Sequence, residues 1–538
     1  MPPLPSSRRR LAGLRLVPLA LLTALALACT GEDPPIVPGG DGPDGGGGEG
    51  DGAVDRAPGV PAHGAASASY FDGDLREGFL GSDIVIQRAA DEADITEYRV
   101  YFGASPEKKL VASPLVAVPA TGADRVVPVP AGAGKPAASH LLVYAANADG
   151  EHATPVAIPL IDNFVRAAPL TVGATPIDWL DTSLAYDRKN RRVVLAGATR
   201  GSPSARVLLC EPGFTACQAK DASAGRSTTE FSRHLQVLVD EAGDKLLVFQ
   251  TYPTGLDKTK PALSRCNLDG TACEAIDLSV GQTGTAGENF NAAIDPVGKR
   301  FYVATTNLAA GQLGLVRCAL DGTGCVYKDA GAAASAPAPN VHPNVAVDRA
   351  SMRIGIVSRD AAVETTERRL HLTTCDLDGD ACATVRAHAL QPPQSGLFPR
   401  AVFDARTGTM LTVARNDANG GRASLYRCGV GSRLCSHADV SAGAAEQSTT
   451  NRAAVALFPD RDALFFVTFG NAGGGSGYQL SLYRCRSDGS DCTARLLSQT
   501  GRYGGEPTMV IDPDSKAMYV AAEESATRQV VGFSLRAW

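Results

Sequence analysis

An all-β chain, most of it seven copies of one four-stranded unit, is what this sequence predicts, and three observations carry the prediction. Six cysteine pairs share the spacing C-x6-C: Cys210/Cys217, Cys266/Cys273, Cys318/Cys325, Cys375/Cys382, Cys428/Cys435 and Cys485/Cys492. Their first members lie 56, 52, 57, 53 and 57 residues apart, the length of a propeller blade rather than of a helical or leucine-rich repeat. A second pattern, an apolar strand closing in Asp, a short turn and another strand, occurs seven times, at Asp187, Asp240, Asp295, Asp348, Asp404, around Phe458, and at Asp512. Finally, the seventh copy has no cysteine pair, and the chain ends at Trp538 with room for only one more strand. Together these predict a seven-bladed β-propeller over residues 164–538, preceded by a small β-sandwich.

The chain opens MPPLPSSRRRLAGLRLVPLALLTALALAC, a basic stretch at Arg8, Arg9 and Arg10, an apolar run, then small residues before Cys29. This resembles a bacterial lipoprotein signal peptide with Ala26-Leu27-Ala28-Cys29 in the lipobox. The resemblance implies that residues 1–28 are removed and that Cys29 becomes a lipidated N-terminus, hence a membrane partner through a lipid anchor. Thr30, where an inner-membrane retention signal would carry Asp, points to the outer membrane. An apolar run this short, broken by Arg15, is a poor transmembrane helix. Residues 29–67 are rich in Gly, Asp and Pro and nearly free of large apolar side chains. They cannot bury enough surface to offset ordering entropy, so a flexible tether is expected. The formal net charge of −6, with no basic run beyond the first residues, argues against nucleic-acid binding.

Residues 68–163 alternate apolar and polar positions in short runs such as DIVIQR, ITEYRVYFG, DRVVPV and HLLVYAANADGE, separated by Gly, Pro and Asp turns. These are strands of a sandwich. Tyr98-Arg99-Val100-Tyr101 and Val143-Tyr144-Ala145-Ala146-Asn147-Ala148-Asp149-Gly150 resemble strands of a fibronectin type III domain, although that family's corner tyrosine falls on Leu141. The resemblance implies a spacer or adhesion module.

Within the cysteine pairs, Asp-Gly stands at Asp269-Gly270, Asp321-Gly322, Asp378-Gly379 and Asp488-Gly489. Asp-Gly predicts a type I′ turn, in which both residues take positive φ, and such a turn sets the two cysteines opposite each other on the paired strands. Zinc sites favour two to four residues between thiolates and four clustered ligands, whereas these pairs stand one per repeat. Disulfides are therefore expected, each worth about 2 to 3 kcal/mol by chain entropy, and they require an oxidising compartment. In the seventh unit, residues 164–175 are expected to return as the outer strand and close the ring. A strand borrowed from the far end of the chain leaves no hairpin to cross-link. The repeats resemble the TolB-like and YVTN-like propeller families, a resemblance too broad to imply an activity.

Propeller ligands usually sit at the central channel. Counting back from the motif aspartates, the sixth position is Asp181, His234, Asn289, His342, Phe398, Arg452 and Glu506. The fourth is Ser183, Gln236, Asn291, Asn344, Arg400, Ala454 and Thr508. The candidate mouth residues are Asp181, His234, Asn289, His342, Arg400, Arg452 and Glu506, with the arginines suited to carboxylates and the histidines to acid-base or metal chemistry. An envelope protein, a peptide or a glycan would be the partner. Wet channel mouths also carry polar residues without any function. No G-x-S-x-G, HExxH or Walker loop occurs, so no catalytic residue, metal or cofactor is assigned. Asp376, Asp378 and Asp380 imitate part of a calcium loop but lack its closing glutamate, and turn chemistry explains them. The sequence thus reads as a binding or scaffold module. The alternative is a glycosidase or lyase assembled from Asp181, Glu506, His234 and His342.

Overall fold

The computed structural model describes residues 59–536 apart from 71, 73–77, 161–164, 200–203, 226–234, 254–258, 282–285, 308–311, 332–339, 361–368, 388–396, 417–420, 441–450, 459–461, 472–477, 498–502 and 504–506. The expected signal peptide, Cys29 and most of the tether lie outside the described residues. Apart from one 3-10 turn at Pro212–Phe214, the regular elements among the described residues are strands.

The first of these form two antiparallel sheets. Ser67–Tyr70, Phe79–Gln87 and Arg125–Gly134 make one, and Val116–Pro119, Glu97–Gly103, His140–Asn147, Gly150–Glu151 and Val156–Pro159 the other. Leu80, Ile84, Ile86, Tyr98, Val100, Val127, Leu141 and Val143 share one core. Leu141, at the position of the absent corner tyrosine, is wholly buried there. The folded body starts earlier than residue 68. Ala62 N donates to Asp94 Oδ2 (2.8 Å), Asn147 Nδ2 donates to Gly59 O (2.9 Å), and Ala65 is buried. Residues from Gly59 onward belong to the same compact unit as the rest of the fold.

Seven four-stranded antiparallel sheets follow, the blades, over 179–221, 236–277, 286–329, 340–386, 397–439, 451–496, and 508–536 with Arg166–Pro169. In the last, Arg166–Pro169 pairs with Val530–Arg536. Each inner strand touches the next, and the seventh touches the first, so the ring is closed. Blades stack face to face, so the second strand of each is covered on both sides and reads as a continuous apolar run. Arg192–Thr199 and Ala517–Glu523 are buried at every interior position. Seven hydrophobic clusters result among the described residues, one per blade interface.

All six cysteine pairs are bonded within their own hairpins, with Cα atoms 4.0–4.1 Å apart: Cys210–Cys217, Cys266–Cys273, Cys318–Cys325, Cys375–Cys382, Cys428–Cys435 and Cys485–Cys492. Bonds of this kind persist only in an oxidising compartment, which places the protein outside the cytoplasm. The expected placement of both members on paired strands holds for two hairpins, where Cys210 pairs with Cys217 and Cys428 with Cys435 inside the ladder. For the other four it is corrected. Cys273, Cys325, Cys382 and Cys492 stand just before the outer strand, whose pairing begins one residue later at Glu274, Val326, Ala383 and Thr493. The cause is the residue ahead of each. Ala272, Gly324, Ala381 and Asp491 take φ of 48° to 60°, a left-handed kink that ends at the cysteine. In the two hairpins with full pairing, the nearest left-handed residues are Phe214 and Arg433, at least two places ahead of the cysteine, so the strand is extended by the time it arrives. Burial within each pair is also unequal: the first cysteine is sealed in the core, whereas Cys217, Cys273, Cys325, Cys382, Cys435 and Cys492 are half-buried at the outer rim.

The turns themselves differ from the expected type I′. Gly270, Gly322, Gly379 and Gly489 have φ of 74° to 88°, but the preceding aspartates do not have positive φ. Gly270 N donates to Asn267 O and Asn267 N to Thr271 O. This is a type I turn followed by a glycine bulge, the three-residue solution for a hairpin. Asp269 instead caps the turn, Oδ1 accepting from Thr271 N (3.0 Å) and from its hydroxyl.

The acids of the fourth hairpin are consumed in the same way. Asp376 Oδ1 accepts from the N–H groups of Asp378 and Asp380. Asp378 pairs with Arg300 and Arg317, and Asp380 with Lys328, all on the preceding blade.

Candidate functional site

The inner strands converge on a central cavity of about 210 Å³ to which all seven blades contribute. Two features of those strands shape it. The first is a bulge near the start. In blade 1, Asp181 and Thr182 together oppose Gly197, because pairing jumps from Leu180↔Ala198 to Ser183↔Ala196. The same jump spans His342 and Pro343 in blade 4, and Phe398 and Pro399 in blade 5. Asp181, His342 and Phe398 take φ of 50°, 54° and 48°, a left-handed conformation that costs side chains with a Cβ on the order of 1 to 2 kcal/mol each. A bulge re-aims the chain, and here it brings Asp181 and His342 to the cavity wall. His342 is buried and meets the Phe398 ring edge-on at 5.4 Å.

The second feature is a belt of hydrogen bonds two residues further along. Ser183 Oγ accepts from Val237 N (3.1 Å), Gln236 Oε1 from Ala292 N (2.6 Å), and Asn291 Oδ1 from Val345 N (2.9 Å). Asn344 Oδ1 accepts from Ala401 N (3.3 Å), and Thr508 Oγ1 from Leu184 N (2.8 Å). In each case the side chain four before the motif position reaches the N–H three before it on the next blade. Inner strands have no partner on their channel side, and these short polar side chains supply one. Asn344 Nδ2 also donates to Pro399 O (3.0 Å), and Gln236 Nε2 to Ala292 O (3.0 Å).

Of the expected mouth residues, the structure brings together Asp181, Asn289, His342 and Arg400. Arg452 lies on the inner strand Asn451–Phe458. His234 and Glu506, and with them half of the lyase constellation, lie outside the described residues. Among the described lining residues the ionisable groups are one carboxylate (Asp181), one imidazole (His342) and one guanidinium (Arg400). Burial pushes the Arg400 guanidinium below its ordinary value, and the charge of Asp181 acts in the opposite sense. Among the described residues no cluster of His, Cys, Asp and Glu has the make-up of a metal site. The residues four before the motif position thus line the cavity and, in five of seven places, also fasten neighbouring blades. Sequence reasoning missed this, although five short polar residues beside one Arg and one Ala in the aligned repeats were the visible signal.

No protein-family model matches the chain, and no curated protein matches it. Among solved structures, an oligogalacturonate lyase in complex with manganese is 10% identical over 70% of this chain and 97% of its own, TM-score 0.44. A protein from Lactobacillus plantarum is 13% identical over 65% of this chain and 93% of its own, TM-score 0.39. A GH74 xyloglucanase from Xanthomonas campestris is 14% identical over 68% of this chain and 55% of its own, TM-score 0.42. The propeller assignment rests on the seven closed sheets themselves.

Proposed function

We propose that this chain is an exported lipoprotein, held at the outer membrane through Cys29, whose propeller acts as a binding module at the cell envelope. The lipobox-like start supports the anchor, and the disulfides agree with export. Residues 29–58 would be the tether. The two packed sheets over 59–160 support the fibronectin type III-like spacer, and residues 164–538 would form the ligand-holding ring. The observation that carries binding over catalysis is the belt. It ties up Ser183, Gln236, Asn291, Asn344 and Thr508 in joining blades, so the polar groups around the cavity are held in fixed places by the fold.

Two measurements test the reading. Membrane fractionation of the full chain in a Gram-negative host should find it in the outer membrane, with Cys29→Ser moving it to the soluble periplasm. Soluble wild-type protein would refute the anchor. Incubation of the purified chain with peptide and oligosaccharide libraries should return bound ligands chemically unchanged. Product formation abolished by Asp181→Asn would establish an enzyme instead.

A further inference from the structure

In each blade the first and third strands run parallel, so the turn after the inner strand and the cysteine hairpin emerge on one face of the ring, and the cavity lies at the other end of the inner strands. On that far face three large apolar side chains stand out in consecutive blades. They are Val297 in blade 3, Met352 in blade 4 and Leu434 in blade 5, exposed by 77%, 56% and 74%. The repeats supply their own control. The place of Val297 holds Lys, Ala, Arg or Asp in the six other blades, that of Met352 holds Arg, Asp, Lys or Gly, and that of Leu434 holds Ala, Gly or Asp in the five other cysteine hairpins. Neither the turn nor the hairpin therefore asks for a large apolar residue there. The three tips are neighbours: Arg349, in the Met352 turn, donates Nε to Asp295 Oδ1 (2.8 Å) beside the Val297 turn, and a Cβ on Gly431 of the Leu434 hairpin would come within 3.0 Å of the Ser351 side chain.

Each tip has a cation beside it. Lys299 stands two places after Val297, Arg353 directly after Met352 and Arg433 directly before Leu434. Among the described residues these three form no ion pair, whereas Arg300 and Arg317 are paired with Asp378, Arg349 with Asp295 and Arg406 with Asp404. An apolar tip flanked by a cation fits the interface of a bilayer, where the tip sinks below the headgroups and the cation meets phosphate. Tips on three separate turns, rather than along one groove, suit a fluid surface in which each side chain finds its own depth. We propose that this face docks on bilayers with anionic phospholipid headgroups, with Val297, Met352 and Leu434 entering the interface and Lys299, Arg353 and Arg433 meeting the phosphates. Docking by this face holds the cavity mouth away from the membrane, open to the surrounding solution. The net charge of −6 is no guide to so local a patch, because charges further off than about 10 Å are largely screened. The inference needs neither acylation of Cys29 nor any particular cavity ligand, so it stands or falls apart from the reading above.

A tryptophan placed at one tip tests it, in the full chain carrying Cys29→Ser, mixed with phosphatidylcholine vesicles with or without phosphatidylglycerol and with brominated lipid as quencher. With anionic vesicles the emission of Val297→Trp should shift to the blue and be quenched. Lys189→Trp, at the same turn position in blade 1, should respond much less. Added to Val297→Trp, Leu434→Asp should weaken vesicle binding by about tenfold, since it removes an apolar tip and brings a like charge to the headgroups. Lys299→Gln, Arg353→Gln and Arg433→Gln should each weaken it by about fivefold, and high salt should abolish the difference. None of these side chains is buried, so Tm should stay at the parent's. Equal quenching at the two turns, vesicle binding without quenching of Val297→Trp, or equal binding to neutral and anionic vesicles would overturn the assignment. So would the absence of vesicle binding, which together with capture of poly-L-glutamate would mark an acidic protein as the partner instead.

Discussion

The motif carboxylate, at the end of five inner strands and one residue past the end of a sixth, is almost completely buried, at Asp187, Asp240, Asp295, Asp348, Asp404 and Asp512. A buried charge is costly unless it is hydrogen-bonded, and each of these caps the turn that follows. Asp187 accepts from Asn190 N, Asp240 from Gly243 N, Asp295 from Gly298 N, and Asp512 from Asp514 N and the Ser515 hydroxyl. Burial alone would raise the Asp512 carboxyl. Ser515, the turn N–H groups and Tyr186 outweigh burial and hold it below its ordinary value. A folded-state pKa depressed in this way gives stability that is complete above the unfolded value, near pH 4, and lost as pH falls through the folded one. Asp512→Asn should therefore lower stability at neutral pH by about 1 to 3 kcal/mol, and its melting deficit should shrink below about pH 4. A deficit constant from pH 7 to 3 would exclude the charged cap. This aspartate was legible because it repeats. The left-handed residue four places on was not: Arg191, Asp244, Lys299, Met352, Asp462 and Lys516 all take it with φ of 50° to 65°, and glycine stands there only at Gly408. Closure of the turn overrides local preference, in blade 6 even without the carboxylate, so composition carries no sign of it. In blade 6 Phe458 replaces the aspartate, and Lys516 from blade 7 sits 4.7 Å above its ring.

At the scale of the element, the hairpin shows what a dipeptide can and cannot reveal. Type I′ and type I-plus-bulge turns both want glycine at the same place and differ in the conformation of the aspartate before it, which tolerates either. Asp-Gly thus made the hairpin and its bonded cysteines legible but left the turn type open, and with it the residue at which the outer strand begins to pair. The glycine also has a second role that a single repeat hides. A Cβ on Gly322 would come within 2.1 Å of Ile276, and one on Gly270 within 2.7 Å of Lys220, both on the preceding blade. The cross-linked hairpin is therefore a wedge seated against its neighbour, joined in blades 3 and 4 by Tyr302 Oη donating to Leu377 O (2.8 Å). Gly322 and Gly324 separate wedge from backbone: both have positive φ, 85° and 60°, but a Cβ on Gly324 meets nothing within 4 Å. Gly324→Ala should cost about 1 kcal/mol of backbone strain, and Gly322→Ala that amount plus on the order of 1 to 3 kcal/mol of overpacking. Equal melting temperatures for the two variants would show that the hairpin is not seated on the next blade.

For the whole molecule, the seam between chain ends is where the repeat pattern stops, the outer strand of the last blade, Arg166–Pro169, coming from ahead of the first blade to pair with Val530–Arg536. The other six blades fasten their outer strand with a disulfide at one register position. In blade 2 it is Cys266, paired with Leu246 six residues beyond the motif aspartate. The equivalent residue in blade 7 is Leu535, paired with Met518. Continuing the outer register from Ser534↔Arg166 by one step brings Leu535 opposite Val165. Both pack in the cluster between blades 6 and 7, so the two positions face a common core. Valine and leucine stand where cysteines stand elsewhere, and apolar packing takes the place of the disulfide. Val165→Cys with Leu535→Cys should therefore oxidise spontaneously in an export host. The hairpin bridges close about eight residues each, whereas this one would span nearly the entire propeller. Loop-closure entropy then amounts to about 5 to 6 kcal/mol against about 2 to 3 for a hairpin bridge, less what two buried apolar side chains contribute. The oxidised double variant should melt well above the parent, and reduction of the new bond should return it to or below the parent value. The free thiols remaining apart, or an oxidised form melting no higher than the parent, would mean that the seam is not the edge from which the ring opens.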